Sequence, residues 1–346
     1  MPKHNPQDDD VLAPLPEDEH WFKVEGQNPF AFTPGHLSRL INPKNYAAFV
    51  ALGGLEGLER GLRTDSKSGL SLDETGLSGS ISFEDATSPN TPTKSFPELT
   101  DDAIERGAFA DRQRVFGRNV LPERKSKTLL RLIWEALQDK VLILLSVAAV
   151  VSLALGLYQT FGQVHHDGAQ VEWVEGVAII IAIVIVALVG ATNDWQKERQ
   201  FAKLNRKKED RLVKVVRSGK PAEISIHDVL AGDVLLLEQG EIIPVDGIFI
   251  EGHNLSCDEA SATGEADMIK KMPADKVLRA IQNQDEDISI KTHDPFIISG
   301  AKVLDGVGSF LATSVGEHSS HGRIMLSLRD EGDMTPLQFK LHKLAG

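Results

Sequence analysis

Cysteine is nearly absent: the 346-residue chain has one, Cys257. That excludes an internal disulfide framework and any zinc finger built on cysteines. Basic residues are in the minority, with 37 Lys and Arg against 50 Asp and Glu and a formal net charge of −13. Nothing in such a balance neutralises a phosphate backbone, so a general nucleic-acid binder is excluded. No internal repeat is found, and the opening MPKHNPQDDD lacks an apolar core, so no cleavable signal peptide is expected. The mean hydropathy of −0.15, in a chain long enough for about two domains, fits an ordinary soluble enzyme. That average hides two apolar blocks.

Residues 141–158 run for 18 positions without a charge, about 27 Å as a helix and close to one hydrocarbon core of a bilayer. Residues 176–193 form a second uncharged run of 18, with Trp173 and Trp195 placed as interfacial anchors. Arg118, Arg124, Lys125, Lys127 and Arg131 precede the first run. Lys197, Arg199, Lys203, Arg206, Lys207 and Lys208 follow the second, whereas 159–172 contains neither Lys nor Arg. The positive-inside rule then predicts an integral membrane protein of two spans with both termini cytosolic.

Residues 1–28 are polar, acidic and proline-containing and are expected to be disordered. Residues 29–64 read as amphipathic helices, with Thr33-Pro34 as an N-cap and first-turn pair and Pro43 opening a second helix. The amphipathic stretch 30–63 fits either a regulatory helix or a structural layer on the domain that follows. Residues 65–98 read as a Ser-, Pro- and Asp-rich linker, and 99–127 as the start of a cytosolic domain, where 101–119 reads as a helix capped by Thr100 and ending at Gly117. An approach helix and the first span fill 128–162, an outer loop 163–172 and the second span 173–195.

From 196 to 333 a charged stalk gives way to Val/Ile/Leu runs of period two, at 212–217, 224–226, 234–238, 242–245, 248–250 and 310–315. Gly219, Gly232, Gly240, Gly247 and Gly252 punctuate them as turns. The fold class expected is a membrane protein: a two-helix transmembrane hairpin plus a mainly-β cytosolic domain, a distorted jelly roll or barrel, with N-terminal helices. A charged insertion falls near 275–294, and 334–346 reads as the start of a stalk toward a third span.

The densest chemistry lies in CDEASATGEADMIKK, 257–271, where Asp258, Glu259, Glu265 and Asp267 crowd around Thr263-Gly264. Glycine lets the backbone turn sharply and approach another surface closely. A carboxylate just after it is suited to holding a water or taking its proton. A solvated acidic turn has the same composition.

In order along the chain stand GGLEGLERGLRTD (53–65), RVFGRNVLPERKSKTLLRLIWEALQDK (114–140), WVEG (173–176), NDWQKERQF (193–201), GDVLLLEQGEIIPVDG (232–247), the 257–271 loop, DPFIISGAKVLDGVGSFLATSVGEHSSHGRI (294–324) and TPLQFKLHKLAG (335–346). Arranged around two apolar runs, the series resembles the N-terminal third of P-type calcium-transporting ATPases of the plasma-membrane or fungal vacuolar type. The resemblance covers residues 29–346, truncated before a third transmembrane helix. It implies an actuator domain, split around the first hairpin, whose TGE loop swings onto an aspartyl phosphate in a separate domain. There the loop's glutamate positions the hydrolytic water. Thr263, Gly264 and Glu265 occupy those catalytic positions, and Asp246-Gly247 match the family's structural turn.

The resemblance also implies calcium as the transported ion, ATP and Mg²⁺ as cofactors of the full-length family but none bound by this chain, no metal site in it, and a vacuolar or plasma membrane location. The chain departs from the family at Ala266, where serine is usual, at Ala260 in Asp258-Glu259-Ala260-Ser261, and at Glu241 after Gly240. The phosphorylation motif Asp-Lys-Thr-Gly-Thr occurs nowhere in it. This chain alone is therefore expected to be inactive, with a C-terminal portion or an intact pump as partner. A non-catalytic two-span regulator that docks on an intact pump is the alternative.

Overall fold

A computed structural model of the protein describes residues 11–14, 19–41, 43–74, 77, 79–88, 108–121, 128–162, 172–264, 268–283 and 293–330. The chain forms two compact units, one of residues 123–209 and one of residues 1–122 with 210–346.

In the larger unit Leu12 is buried in the core and a 3-10 turn forms at Glu19–Phe22, both inside the stretch expected to be disordered. Aromatic contact overrides the polar composition here. Trp21 meets His318 edge-on at 5.3 Å, and the Arg323 guanidinium lies 5.6 Å from the centre of the same ring. Helix α1, Pro34–Ile41, starts as expected, with the Thr33 hydroxyl accepting the His36 amide at 3.4 Å. Helix α2, Tyr46–Ala51, is capped by Asn45 rather than opened at Pro43, because the asparagine side chain accepts the Ala48 amide. Helix α3 is Gly54–Leu62, and α4, Phe83–Thr87, lies in the segment expected to be a linker. That segment is stitched into the fold: Leu70 is buried and forms a parallel bridge with Arg217.

Of the helix expected over 101–119, the described residues contain only α5, Ala110–Phe116. Phe109 stands at φ 57, a left-handed conformation that breaks the helical path, and its ring is held 4.8 Å under the Arg217 guanidinium. The expected cap, Thr100, lies outside the described residues.

Among the described residues the smaller unit has three helices: α6, Leu129–Leu137; α7, Lys140–Gly162; and α8, Glu172–Glu209. Among the described residues two helices are, by length and composition, apolar enough to cross a membrane, over Lys140–Tyr158 and Trp173–Phe201. With 38 residues, α8 is about 57 Å long, so the second apolar run and the charged stalk are one continuous helix. Gly176 brings α8 against α7: a Cβ there would lie 2.7 Å from the Leu153 backbone. Most of the expected outer loop, 163–171, lies outside the described residues.

The larger unit resumes with a seven-stranded sheet: β1, Leu212–Arg217; β2, Lys220–Ser225; β3, Val234–Leu237; β4, Asp246–Asp258; β5, Met268–Lys270; β6, Phe296–Ile297; and β7, Lys302–Ser314. The order is β2-β1-β3-β7-β4-β5, with β6 also on β4, and every pairing is antiparallel. Two of the short runs expected from the sequence, 248–250 and 310–315, are ends of the long strands β4 and β7. These pair along their length through several register shifts. Gly252 is not a turn but an interior position of β4, where a Cβ would lie 2.3 Å from the Val307 carbonyl oxygen. The run 242–245 makes only an isolated bridge, Ile242 to Lys302.

Strand alternation builds two cores. Val234, Ile248 and Leu311 join Leu37, Leu40, Phe49, Leu58 and Leu62 of the N-terminal helices in one cluster. Their neighbours Leu235, Phe249 and Phe310 join Val215, Val245 and Ile297 in the other. Three helices complete the unit: α9, Ala260–Thr263; α10, Ala274–Gln282, in the expected insertion; and α11, Ser320–Asp330.

Candidate functional site

The loop singled out by its sequence joins β4 to β5. Asp258, the last residue of β4, accepts the Ala260 amide at 3.0 Å and starts the single turn of α9. Gly264 ends that turn at φ +77, donating its amide to the Ala260 carbonyl at 2.9 Å. It is exposed, and among the described residues, its chain neighbours aside, nothing lies within 4 Å of where a Cβ would stand. Ser261 ties the turn to the neighbouring bend, its hydroxyl donating to the Gly300 carbonyl at 2.8 Å. Thr263 closes α9, and Glu265 lies outside the described residues.

Beneath this apex is a stem of buried charge. Glu259 and Asp294 have fully buried side chains, as does Lys271. Lys271 donates to Glu259 Oε1, to Asp294 Oδ2 at 2.8 Å and to the Phe296 carbonyl at 2.6 Å. Lys44, from the turn before α2, donates to Glu259 Oε2 at 2.6 Å and Asp294 Oδ2 at 2.5 Å. Two ammonium groups balance two carboxylates, the condition under which such charges persist in a core. Burial alone lowers the Lys271 ammonium, but the charges of Asp294 and Glu259 outweigh it and hold it above its ordinary value. Burial and the Asp294 charge push the Tyr46 phenol up to about 12. Burial pushes the neighbouring Cys257 thiol up to about 11, so the lone cysteine stays protonated and unreactive.

The second pair of sequence candidates sits at the start of β4. The Asp246 carboxylate accepts the amides of Ser299 at 2.7 Å and Ser320 at 2.6 Å and the Ser320 hydroxyl at 2.8 Å. Burial pushes its carboxyl up, opposed by these hydrogen bonds. A Cβ on Gly247 would lie 2.3 Å from the Leu311 carbonyl oxygen. Asp246 therefore fastens the start of α11 and the 299 bend to the sheet.

The sequence reading missed Lys44, Lys271 and Asp294, and it took Glu259 for one of a crowd of loop acids. The pair Lys270-Lys271 carried a signal, because strand period two turns one of them inward. Lys44 carried none, lying 215 residues from Glu259.

These features define an actuator-type β-domain with an exposed glycine loop. Residues 207–329 match the P-type ATPase actuator domain, and residues 104–152 match the N-terminus of cation transporters and ATPases. A Cryptococcus neoformans protein named calcium-transporting ATPase 2 is 49% identical over 92% of this chain and 23% of its own length. The Schizosaccharomyces pombe calcium-transporting ATPase 2 is 46% identical, over 92% of this chain and 26% of its own. A rice protein, calcium-transporting ATPase 5 of plasma membrane type, is 34% identical over 93% and 24%. The chain belongs to the P-type calcium-transporting ATPases, as an N-terminal part that includes the actuator domain. It spans about a quarter of the length of these relatives, rather than the third expected from the sequence.

Proposed function

We propose that this chain supplies the actuator domain and first membrane hairpin of an ATP-driven pump that exports calcium from the cytosol, in a vacuolar or plasma membrane. Helices α7 and α8 are its two spans, with the arginine- and lysine-rich flanks and the larger unit on the cytosolic side. Glu265 is the hydrolytic residue. It orients a water in line with an aspartyl phosphate held elsewhere and takes a proton from it as the oxygen attacks phosphorus. The bond between phosphorus and the aspartyl oxygen breaks, releasing phosphate and the carboxylate. Thr263 and Gly264 form the face that approaches the phosphoryl oxygens, glycine because its missing side chain leaves the backbone uncovered. Ala266, in place of the serine usual in the family, removes one hydroxyl hydrogen bond, worth about 0.5–1.5 kcal/mol, and slows this step without abolishing it.

ATP and Mg²⁺ belong to the family's reaction. Among the described residues no group of three His, Cys, Asp or Glu side chains converges to hold a metal ion, and Glu259 and Asp294 are engaged by lysines. No step assigned to this chain runs through a metal.

The observation that supports this reading best is Gly264, left-handed, exposed and open on its Cβ side, at the apex of a loop with an ion-paired stem. The test joins the chain to the remaining part of the Schizosaccharomyces pombe relative and follows decay of the phosphoenzyme formed from ATP. Glu265→Gln is expected to leave phosphorylation intact and slow decay about 100-fold. Unchanged decay overturns the assignment. The 346-residue chain by itself, without an Asp-Lys-Thr-Gly-Thr sequence, is expected to form no phosphoenzyme.

A further inference from the structure

The Lys44 ammonium ties the N-terminal helical layer to the 259–264 turn, donating to Glu259 Oε2 at 2.6 Å. Removing Lys44 leaves one lysine, Lys271, against two fully buried carboxylates. A buried charge without a counter-charge is expensive, so one carboxylate must protonate, admit water or move. The two stand at different places in the chain. Asp294 is pinned three ways: its Oδ1 accepts the Phe296 amide at 2.9 Å, its carbonyl accepts the Met272 amide at 2.9 Å, and it bridges Lys271. Glu259 sits between the end of β4 and the first residue of α9. Its relaxation falls on the turn that presents Gly264.

We propose that Lys44 is a positioning residue, through which the N-terminal helical layer sets the posture of the 259–264 turn. This rests on the hydrolytic reading of that loop and adds a control point outside it. The layer is a firm base for such a lever. The Tyr46 hydroxyl donates to the His293 carbonyl at 2.5 Å, and the rings of Tyr46 and Phe49 lie 5.7 and 6.3 Å from that of Phe296. These contacts keep α2 docked when the Lys44 charge is removed, so a charge substitution isolates the ion pair from the docking. A ligand or modification that shifts α2 is thereby read out at Gly264, with no contact to the loop itself.

Two readouts test this. Amide hydrogen exchange is followed on the 346-residue chain in detergent, and phosphoenzyme decay in the chimaera described above. Lys44→Met is expected to speed exchange over 260–271 about tenfold while β1, β3 and β7 stay protected, and to slow decay about tenfold. Lys44→Arg, which restores the charge, is expected to recover most of both. Uniformly faster exchange across the sheet reduces Lys44 to general support of the fold and overturns the proposal, as does unchanged exchange at the loop. Glu265→Gln in the same chimaera separates the two readings. If it leaves decay unchanged, the hydrolytic assignment falls, while the exchange result still decides whether Lys44 holds the loop.

Discussion

Two of the buried ionic clusters among the described residues of the larger unit differ in the kind of cation each uses. The first is centred on Arg112, which is fully buried. Its Nε and Nη2 grip the two Glu74 oxygens at 2.6 and 2.9 Å. Its remaining donors reach the carbonyls of Leu62 at 2.7 Å, Arg63 at 2.8 Å and Ala231 at 3.1 Å. One planar fork thus joins the end of α3, the 65–98 segment, α5 and the loop before β3 in a single geometry. The second hub, under the 259–267 loop, uses two lysines on flexible stems. Each is a compact point charge that reaches two carboxylates. The arginine hub specifies one arrangement; the lysine hub holds charge balance while tolerating adjustment. The lysine hub is the one beneath the loop to which the proposed hydrolytic role is given.

The largest expected effect breaks the rigid hub. Arg112→Met leaves Glu74 and three carbonyls without their donor and is expected to cost about 3–5 kcal/mol, read by urea unfolding of the chain in detergent. Arg112→Lys is expected to recover less than half of that, because an ammonium cannot reproduce the bidentate fork. Full recovery would show that charge alone matters and erase the distinction between the hubs. Gly232→Ala belongs to the same test. At φ +96 its Cβ would stand 2.6 Å from Arg112 Nη1, so strain and collision add.

A smaller effect comes from a polar group outside both hubs. Among the described residues, His318 Nδ1 is buried with no hydrogen-bond partner. Burial, with the nearby charges of Arg323 and His20, lowers the ring's pKa from its ordinary 6.5 to about 4. The unfolded chain therefore binds the proton more readily than the folded one. The stability involved is fully present above pH 6.5 and is lost as pH falls toward 4. At pH 5 the loss is ~2 kcal/mol. His318→Leu is expected to flatten that part of the melting-temperature profile between pH 7.5 and 5, with Trp21 still packed against the site. A profile unchanged by the substitution assigns the acid sensitivity elsewhere.

Legibility in the sequence follows the range of each interaction. The apolar runs of α7 and α8, the strand β1 and the glycine of the 263–265 loop are local signals, and each was readable from consecutive residues. The long strands β4 and β7 were not, because the glycines that mark turns elsewhere lie at Gly252 and Gly308 inside a ladder where backbones pass closely. The 65–98 segment reads as linker by composition, yet Glu74 is consumed by an arginine 38 residues away. The lysine hub is the extreme case, assembled from residues 44, 259, 271 and 294. No window of sequence contains it, and a buried lysine is written with the same letter as a solvated one.

The smallest structural effect carries the sharpest functional contrast, and it sets Gly264 against Gly232. Both are left-handed, at φ +77 and +96, so an alanine meets similar backbone strain at either. They differ in what surrounds them: Arg112 and Leu70 at Gly232, and nothing within 4 Å among the described residues at Gly264, its chain neighbours aside. Gly264→Ala is therefore expected to cost only about 1 kcal/mol in stability, with no repacking of the stem. In the chimaera it is expected to slow phosphoenzyme decay about tenfold, because the added methyl stands in the space kept open for the phosphoryl oxygens. Gly232→Ala, measured at a temperature where it remains folded, is expected to leave decay unchanged. If Gly264→Ala leaves decay at the parent rate, the opening at the apex is a solvated turn and the approach face lies elsewhere on the loop.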